Sequence, residues 1–315
     1  MKIFKSTIVS LIVLGAFFGI LTFAQETEKK GTGLTISPLT FELSANPGDL
    51  LENTIKVSNP TQNSISVKME VDDFTALGEE GEVRVEDQKN DTYSLKKWTK
   101  ASPEEFTLTP GQTQLVDFKI NLPQNAEPGG KYGSILATIT GLSQPEESGA
   151  VLKQKIGALV LLSVAGEVIE KIEVKEFSTP KFSEKGPINF TLRFENKGTV
   201  HTKPRGIITI TDIFGNKVQD IEIFQKNVLP GAIRKVEATW QRTCFFGGRY
   251  QATLVGNYGS QNEPLTAAVM FWVFPWRLAL IVLLSLVLII LVIRKTYLRV
   301  KKAEKILKEN NSLNK

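Results

Sequence analysis

Hydrophobic and polar residues alternate along most of this 315-residue chain. Ile65, Val67, Met69 and Val71 are separated by Ser66, Lys68 and Glu70. Val116, Phe118, Ile120 and Leu122 repeat the pattern, and so do Ile188, Phe190, Leu192 and Phe194. A period of two places each set on one face of a β-strand, with its polar partners turned to water. Pro-Gly and Gly-Gly pairs break the alternation at short intervals, as the turns of an antiparallel sandwich do. No stretch between residues 25 and 270 carries the spacing of an amphipathic helix. The run Ile156 to Val164 is apolar without alternation, which predicts a strand covered on both faces, at a seam between domains.

The pattern changes at both ends. Lys2 and Lys5 precede the apolar run Ile8 to Leu21, and Thr22-Phe23-Ala24 closes it with a small-x-small pattern. That is the layout of a secretory signal peptide cleaved after Ala24, an uncleaved anchor being the alternative. Near the other end, Leu278 to Ile293 holds one polar residue, Ser285. A helix of that length rises roughly 24 Å, and adding the approach from Phe271 to Arg277 brings it to about 34 Å, enough for a ~30 Å hydrocarbon core. Trp272, Trp276 and Arg277 are expected in the upper membrane interface, with Arg294 and Lys295 as the basic stop. The tail beyond Ile293 holds eight basic and two acidic residues, which places it in the cytoplasm and the ectodomain outside.

This topology changes the meaning of the composition. The formal charge of +5 is concentrated in the two ends, leaving residues 25–270 net acidic. No basic patch with interleaved aromatics occurs there, so nucleic acid is not an expected partner. Cys244 is the single cysteine, so an exported domain must hold itself together without disulfides. Two glycosylation-type triplets, Asn90-Asp91-Thr92 and Asn189-Phe190-Thr191, carry weight only in a source that glycosylates.

Residues 25–270 are too many for one small sandwich and suit two. A weak repeat supports the division. Asn59, Pro110-Gly111 and Gly129-Gly130-Lys131-Tyr132 in the first half match Asn196, Pro230-Gly231 and Gly247-Gly248-Arg249-Tyr250 in the second. From Pro to Tyr the separations are 22 and 20 residues, but from Asn to Pro they are 51 and 34. The predicted fold is all-β, two tandem Ig-like antiparallel β-sandwiches. The domains are a signal peptide at 1–24, sandwiches at 25–170 and 171–270, a membrane helix at 271–293 and a basic tail at 294–315.

Candidate chemistry is sparse. His201 is the only histidine, and Cys244 beside Phe245 and Phe246 reads as a small buried hydrophobe. No metal-ligand spacing, phosphate loop or nucleophile motif stands in a fitting context, so no enzyme, cofactor or metal is expected. Asp72-Asp73 and Glu79-Glu80-Gly81-Glu82 offer oxygen ligands, but their spacing suits a solvated turn better than a calcium loop. The insertion Phe74 to Ser102 is the best binding candidate. Its acidic stretch includes Glu86 and Asp87, and its second part places Tyr93, Lys96, Lys97, Trp98 and Lys100 together. An aromatic among cations suits stacking on sugar rings and pairing with anionic polymer. Burial of Trp98 in the sandwich core is the competing reading.

Certain short segments resemble a known family. Ile36-Ser37-Pro38, Pro47-Gly48, Val57-Ser58-Asn59-Pro60, Trp98, Thr109-Pro110-Gly111 and Leu122-Pro123 are similar to the peptidoglycan-binding domain of WxL-interacting proteins. Pro128-Gly129-Gly130-Lys131-Tyr132-Gly133 continues the likeness, which spans roughly residues 33–300. The resemblance implies two Ig-like domains outside a bacterial membrane, the first toward peptidoglycan or another wall polymer and the second toward a surface protein. A looser likeness to periplasmic pilus chaperones rests on the Ig-like plan alone. The expected function is non-catalytic attachment or scaffolding at the envelope; the alternative is a membrane-tethered, chaperone-like assembly factor for exported subunits.

Overall fold

The computed structural model describes residues 33–85, 91–142, 154–241 and 247–313. The expected signal peptide, Glu86, Asp87, Asn90 and Cys244 lie outside the described residues.

The first half forms strands β1 (Thr35–Ser37), β2 (Thr40–Ala45), β3 (Leu50–Ser58), β4 (Ile65–Leu77) and β5 (Glu82–Val85). These are followed by β6 (Thr99–Ser102), β7 (Glu105–Leu108), β8 (Thr113–Asn121), β9 (Gly129–Leu142) and β10 (Lys155–Val164). They build two facing sheets, β1-β3-β8-β6 and β2-β10-β9-β4-β5, with β7 also paired to β4. Alternation explains the core: Val116, Phe118 and Ile120 are fully buried, and Ile65, Val67 and Met69 face them. Each such side chain contributes about 1.5–3 kcal/mol by leaving water.

The second half repeats the plan with β11 (Ile172–Ser178), β12 (Phe182–Ser183), β13 (Ile188–Asn196) and β14 (Arg205–Thr211). It is completed by β15 (Lys217–Glu222), β16 (Ile233–Trp240), β17 (Gly248–Tyr258) and β18 (Glu263–Val273). The sheets are β11-β13-β16 and β12-β18-β17-β14-β15. Ile188, Phe190, Leu192 and Phe194 fill the core with Trp240, Tyr250 and Phe271. The molecule is therefore an all-β pair of Ig-like sandwiches, and the sheets part between Val164 and Ile172.

The sandwiches are not wholly antiparallel. The first strand of each copy changes sheet partway: β1 pairs β3, then β2 joins β10 in parallel; β11 pairs β13, then β12 joins β18 in parallel. A proline, Pro38 or Pro180, stands at each crossing. Proline has no N–H to give a ladder, so the strand is released there from one partner and taken up by another.

The bounds expected for a membrane segment also need correction. Phe271, Trp272 and Val273 belong to β18, not to a helix beginning at residue 271. Phe271 and Val273 are buried in the second core while Trp272 between them is exposed, so the period is two. The helix α1 runs from Trp276 to Leu313, and its stretch Trp276–Lys302 is long and apolar enough to cross a membrane. Only Phe274 and Pro275 separate it from β18.

Candidate functional site

The insertion after Phe74 is built as an arm. β4 runs on past its sandwich and folds back as β5, with Gly78-Glu79-Glu80-Gly81 at the tip. The tip crosses to the second sandwich. Arg193 on β13 donates to Glu79 at 2.7 Å and reaches Glu176 at 3.1 Å; the Lys235 backbone N–H donates to the Glu79 carbonyl at 2.8 Å. Lys235 Nζ also meets Glu80 at 3.1 Å. Hydrogen bonding by Arg193 holds the Glu79 carboxyl below its ordinary range. The acidic run expected as a solvated turn is thus an inter-sandwich clamp.

Beneath the arm lies a cleft of about 230 Å³ between the two sandwiches. Phe74, Val83, Leu159 and Leu161 wall it from the first, and Val228, Leu229 and Ile233 from the second. Phe74 and Leu161 are buried here with Tyr132, and Leu229 packs on them. This accounts for the unbroken apolar run of β10. Ala158, Val160 and Leu162 face the first core, whereas Leu159 and Leu161 face the cleft.

The cleft also has polar lining: Thr40 and Glu82 from the first sandwich, Lys226, Asn227 and Arg234 from the second. Among the described residues, the buried side-chain polar atoms lacking a hydrogen-bond partner are Asn227 Oδ1 and Arg234 Nε, and both residues line the cleft. Burial lowers the Arg234 pKa, against the pull of Glu80, yet a guanidinium keeps its charge. Its guanidinium lies against Gly81 at the arm tip, where a φ of 93° favours glycine. Leaving such groups unpaired costs about 1–3 kcal/mol each. A ligand with an acceptor for Arg234 and a donor for Asn227 would recover that cost.

The rest of the seam is tightly stitched. Glu42 on β2 accepts from Lys203 at 2.6 Å and from Asn227 Nδ2 at 2.8 Å. Burial alone would raise the Glu42 pKa, but these hydrogen bonds outweigh it and hold the carboxyl below its ordinary value. The Gly130 N–H donates to the Thr199 carbonyl at 2.9 Å, and Gly129 (φ 115°) sits where a Cβ would press that same oxygen at 3.0 Å. Tyr132 Oη lies 3.4 Å from His201 Nδ1, their rings edge to face. Burial pushes the Tyr132 phenol up and His201 down, so both are neutral in this contact.

The residues singled out from sequence fall in different settings. Tyr93 packs into the seam against Tyr132, with ring centroids 6.0 Å apart. Lys96 pairs with Asp72 at 3.1 Å. Asp73 is buried and accepts from Ser94 Oγ and the N–H groups of Leu95 and Lys96, fixing the turn that carries Trp98. Trp98 is half-buried against the first core, and the Lys131 ammonium lies 5.7 Å from its ring centroid. Lys97 and Lys100 are exposed. At the α1 end, Trp272 is exposed on β18, Trp276 opens α1, and Arg277 meets Glu184 at 3.4 Å; Arg294 and Lys295 continue α1. Sequence reasoning missed Asn227, Leu229 and Arg234, and their only trace was Leu229 at the turn position where the first copy has Thr109.

No known family profile and no curated protein matches the sequence. Solved structures similar to it include the class 5 fimbriae chaperone CfaA, at 12% identity, 76% of this chain, 99% of that chain and a TM-score of 0.40. The chaperone YadV gives 10%, 76%, 99% and 0.36, and the E. coli chaperone DraB 14%, 77%, 98% and 0.31. All three likenesses are loose.

Proposed function

We propose that this protein is a membrane-tethered, non-catalytic binding protein that holds the end of another exported polypeptide in the cleft between its sandwiches. The observation that carries this reading is the unpartnered pair, Arg234 Nε and Asn227 Oδ1, in a largely apolar cleft whose other polar lining residues are Thr40, Glu82 and Lys226. A chain terminus offers a carboxylate for the guanidinium, an adjacent N–H for the asparagine and an apolar side chain for Leu159, Leu161 and Leu229. The role is that of an assembly factor: the clamp and stitched seam hold the cleft open at a fixed angle while a subunit waits.

The test is calorimetric titration of the ectodomain with N-acetyl-leucine and with N-acetyl-leucinamide. The acid is expected to bind at least about tenfold more tightly than the amide, a charge-assisted contact being roughly twice as strong as a neutral one. Arg234→Leu should abolish that preference without lowering the unfolding midpoint. Equal binding of acid and amide, or none by either, would remove the cleft from consideration.

A second reading is wall attachment through the first sandwich, as the resemblance to WxL-interacting proteins implies. Exposed Lys97 and Lys100 flanking half-buried Trp98 favour it. Sedimentation with purified sacculi tests it: Lys97→Ala with Lys100→Ala should release the ectodomain from the pellet, and unchanged pelleting would exclude this strip.

A further inference from the structure

The β14–β15 hairpin ends in an unusual turn. Tight turns favour Gly, Asn and Asp because these accept strained backbone or bond to it. Here Asp212 accepts from the N–H groups of Phe214 and Asn216, both at 2.9 Å, and Gly215 takes the positive φ of 82°. The residues carried on top of this braced turn are Ile213 and Phe214, 57% and 82% exposed. Holding two large apolar side chains rigidly in water costs stability with no return inside the fold.

Strand register shows where they point. Thr211 is opposite Gln251 on β17, and Gln251 is opposite Met270 on β18. The turn beyond Thr211 therefore lies level with Trp272 to Phe274, two strands away, or roughly 10 Å. That is the end of the sandwich from which α1 departs. The departure is rigid: the Phe274 N–H donates to the Ser183 carbonyl at 3.0 Å, the Phe274 ring packs on Gly247, and Arg277 meets Glu184. Phe182, Trp272 and Phe274 are exposed at the same level.

We infer that the Ile213-Phe214 tip, with Phe182, Trp272 and Phe274, seats in the lipid headgroup layer. The second sandwich then touches the membrane at two separated places, α1 and the hairpin tip, and its tilt is fixed. The occupant is the bilayer that α1 enters, since a stiff two-residue junction brings the whole sandwich end to that surface. Large aromatic and aliphatic side chains beside Lys181, Lys185 and Arg249 suit this layer. This inference rests on reading α1 as a membrane span.

Phe224 provides an internal control. It is 75% exposed but follows β15 at the opposite end of the same hairpin. The full chain carrying Cys244→Ser is reconstituted in phosphatidylcholine–phosphatidylglycerol vesicles. A fluorophore is placed in turn at Phe214→Cys, Phe224→Cys and Ser285→Cys and quenched by lipids with nitroxides near the headgroup or deep in the acyl chain. Shallow nitroxide should quench the label at 214 at least about twofold more than that at 224, because aromatics lodge at headgroup depth. Deep nitroxide should quench the label at 285. If 285 is quenched while 214 matches 224, the tip does not touch lipid although α1 spans. If 285 escapes quenching, the reading of α1 fails, and the inference with it.

Discussion

Asn59 and Asn196 occupy the same corner of their two sandwiches, and the resemblance extends to single atoms. Asn59 Nδ2 donates to the carbonyls of Asn63 and Leu108; Asn196 Nδ2 donates to those of Val200 and Val228. Each Oδ1 accepts from the backbone N–H two residues on, that of Thr61 or Gly198. Each backbone carbonyl takes the N–H of the turn glycine, Gly111 or Gly231. The copies diverge at the residue before the turn proline: exposed Thr109 in the first, cleft-packing Leu229 in the second. They diverge again after the glycine pair, where Lys131 is buried and Arg249 exposed. One corner does two jobs: its buried asparagine holds the sandwich, and its outer residue decides whether that end stays free or becomes an interface.

The largest effect should come from the asparagines. Asn59→Ala and Asn196→Ala each remove three or more buried or part-buried hydrogen bonds to the backbone and should each cost about 3 kcal/mol in urea unfolding of residues 25–275. A cost below about 1 kcal/mol at either site would show that the shared geometry is not shared energetics.

Exchanging the divergent residues sharpens the contrast. Leu229→Thr removes apolar packing from the seam and should cost about 2 kcal/mol. Thr109→Leu, on the exposed copy, should change stability by less than about 0.5 kcal/mol. Equal effects would mean that Leu229 contributes nothing specific to the interface.

Tyr132 faces a histidine, whereas its counterpart Tyr250 packs among Trp240 and Phe271. Burial holds His201 below its ordinary pKa against the pull of Glu42, with Lys203 lowering it further. The unfolded chain therefore takes up this proton first. Stability from neutral His201 is complete above about pH 6.5 and falls as pH drops below that, by at most about 1.4 kcal/mol per unit. Thermal melts between pH 7.5 and 5.5 should show the slope, and His201→Gln should flatten it; an unchanged slope in the variant would assign it elsewhere. These pH values are about one unit either side of the ordinary histidine pKa.

The smallest effect belongs to the clamp. Glu79→Gln should leave both sandwiches folded and loosen only the angle between them, since the pair it breaks is half-buried, still within reach of salt, and backed by the Lys235 backbone bond to the Glu79 carbonyl. Small-angle scattering should show the variant slightly more extended than the parent at low salt and indistinguishable from it at high salt.

Much of this fold was legible in alternation, because a half-buried strand must repeat every two residues. The Asn and Pro-Gly repeat exposed the duplicated plan for a similar reason: αL turns and Asx bonds accept few residue types. The start of the apolar helix was misread because Phe271, Trp272 and Val273 are as apolar as the residues that follow, and composition alone does not separate strand from helix. The arm was misread because Glu79 between glycines looks solvated while its partner lies 114 residues away. Arg234 gave no signal, since a lack of partners is a property of the assembled seam and not of any local pattern. Trp98 shows the same limit: its half-burial follows from Asp73 bracing the turn beneath it.

The two-residue junction between β18 and α1 has a consequence of height. The cleft sits at the far end of the second sandwich, and β18 is 11 residues long. With α1 in a bilayer, as proposed above, about 3.3 Å per residue puts the cleft roughly 35 Å above that surface. A segment rooted in that proposed bilayer would need about ten extended residues to climb that far. On the proposed reading, shorter tethers fall short however well their ends fit, and the sandwich would serve as a gauge that selects a partner by reach before chemistry.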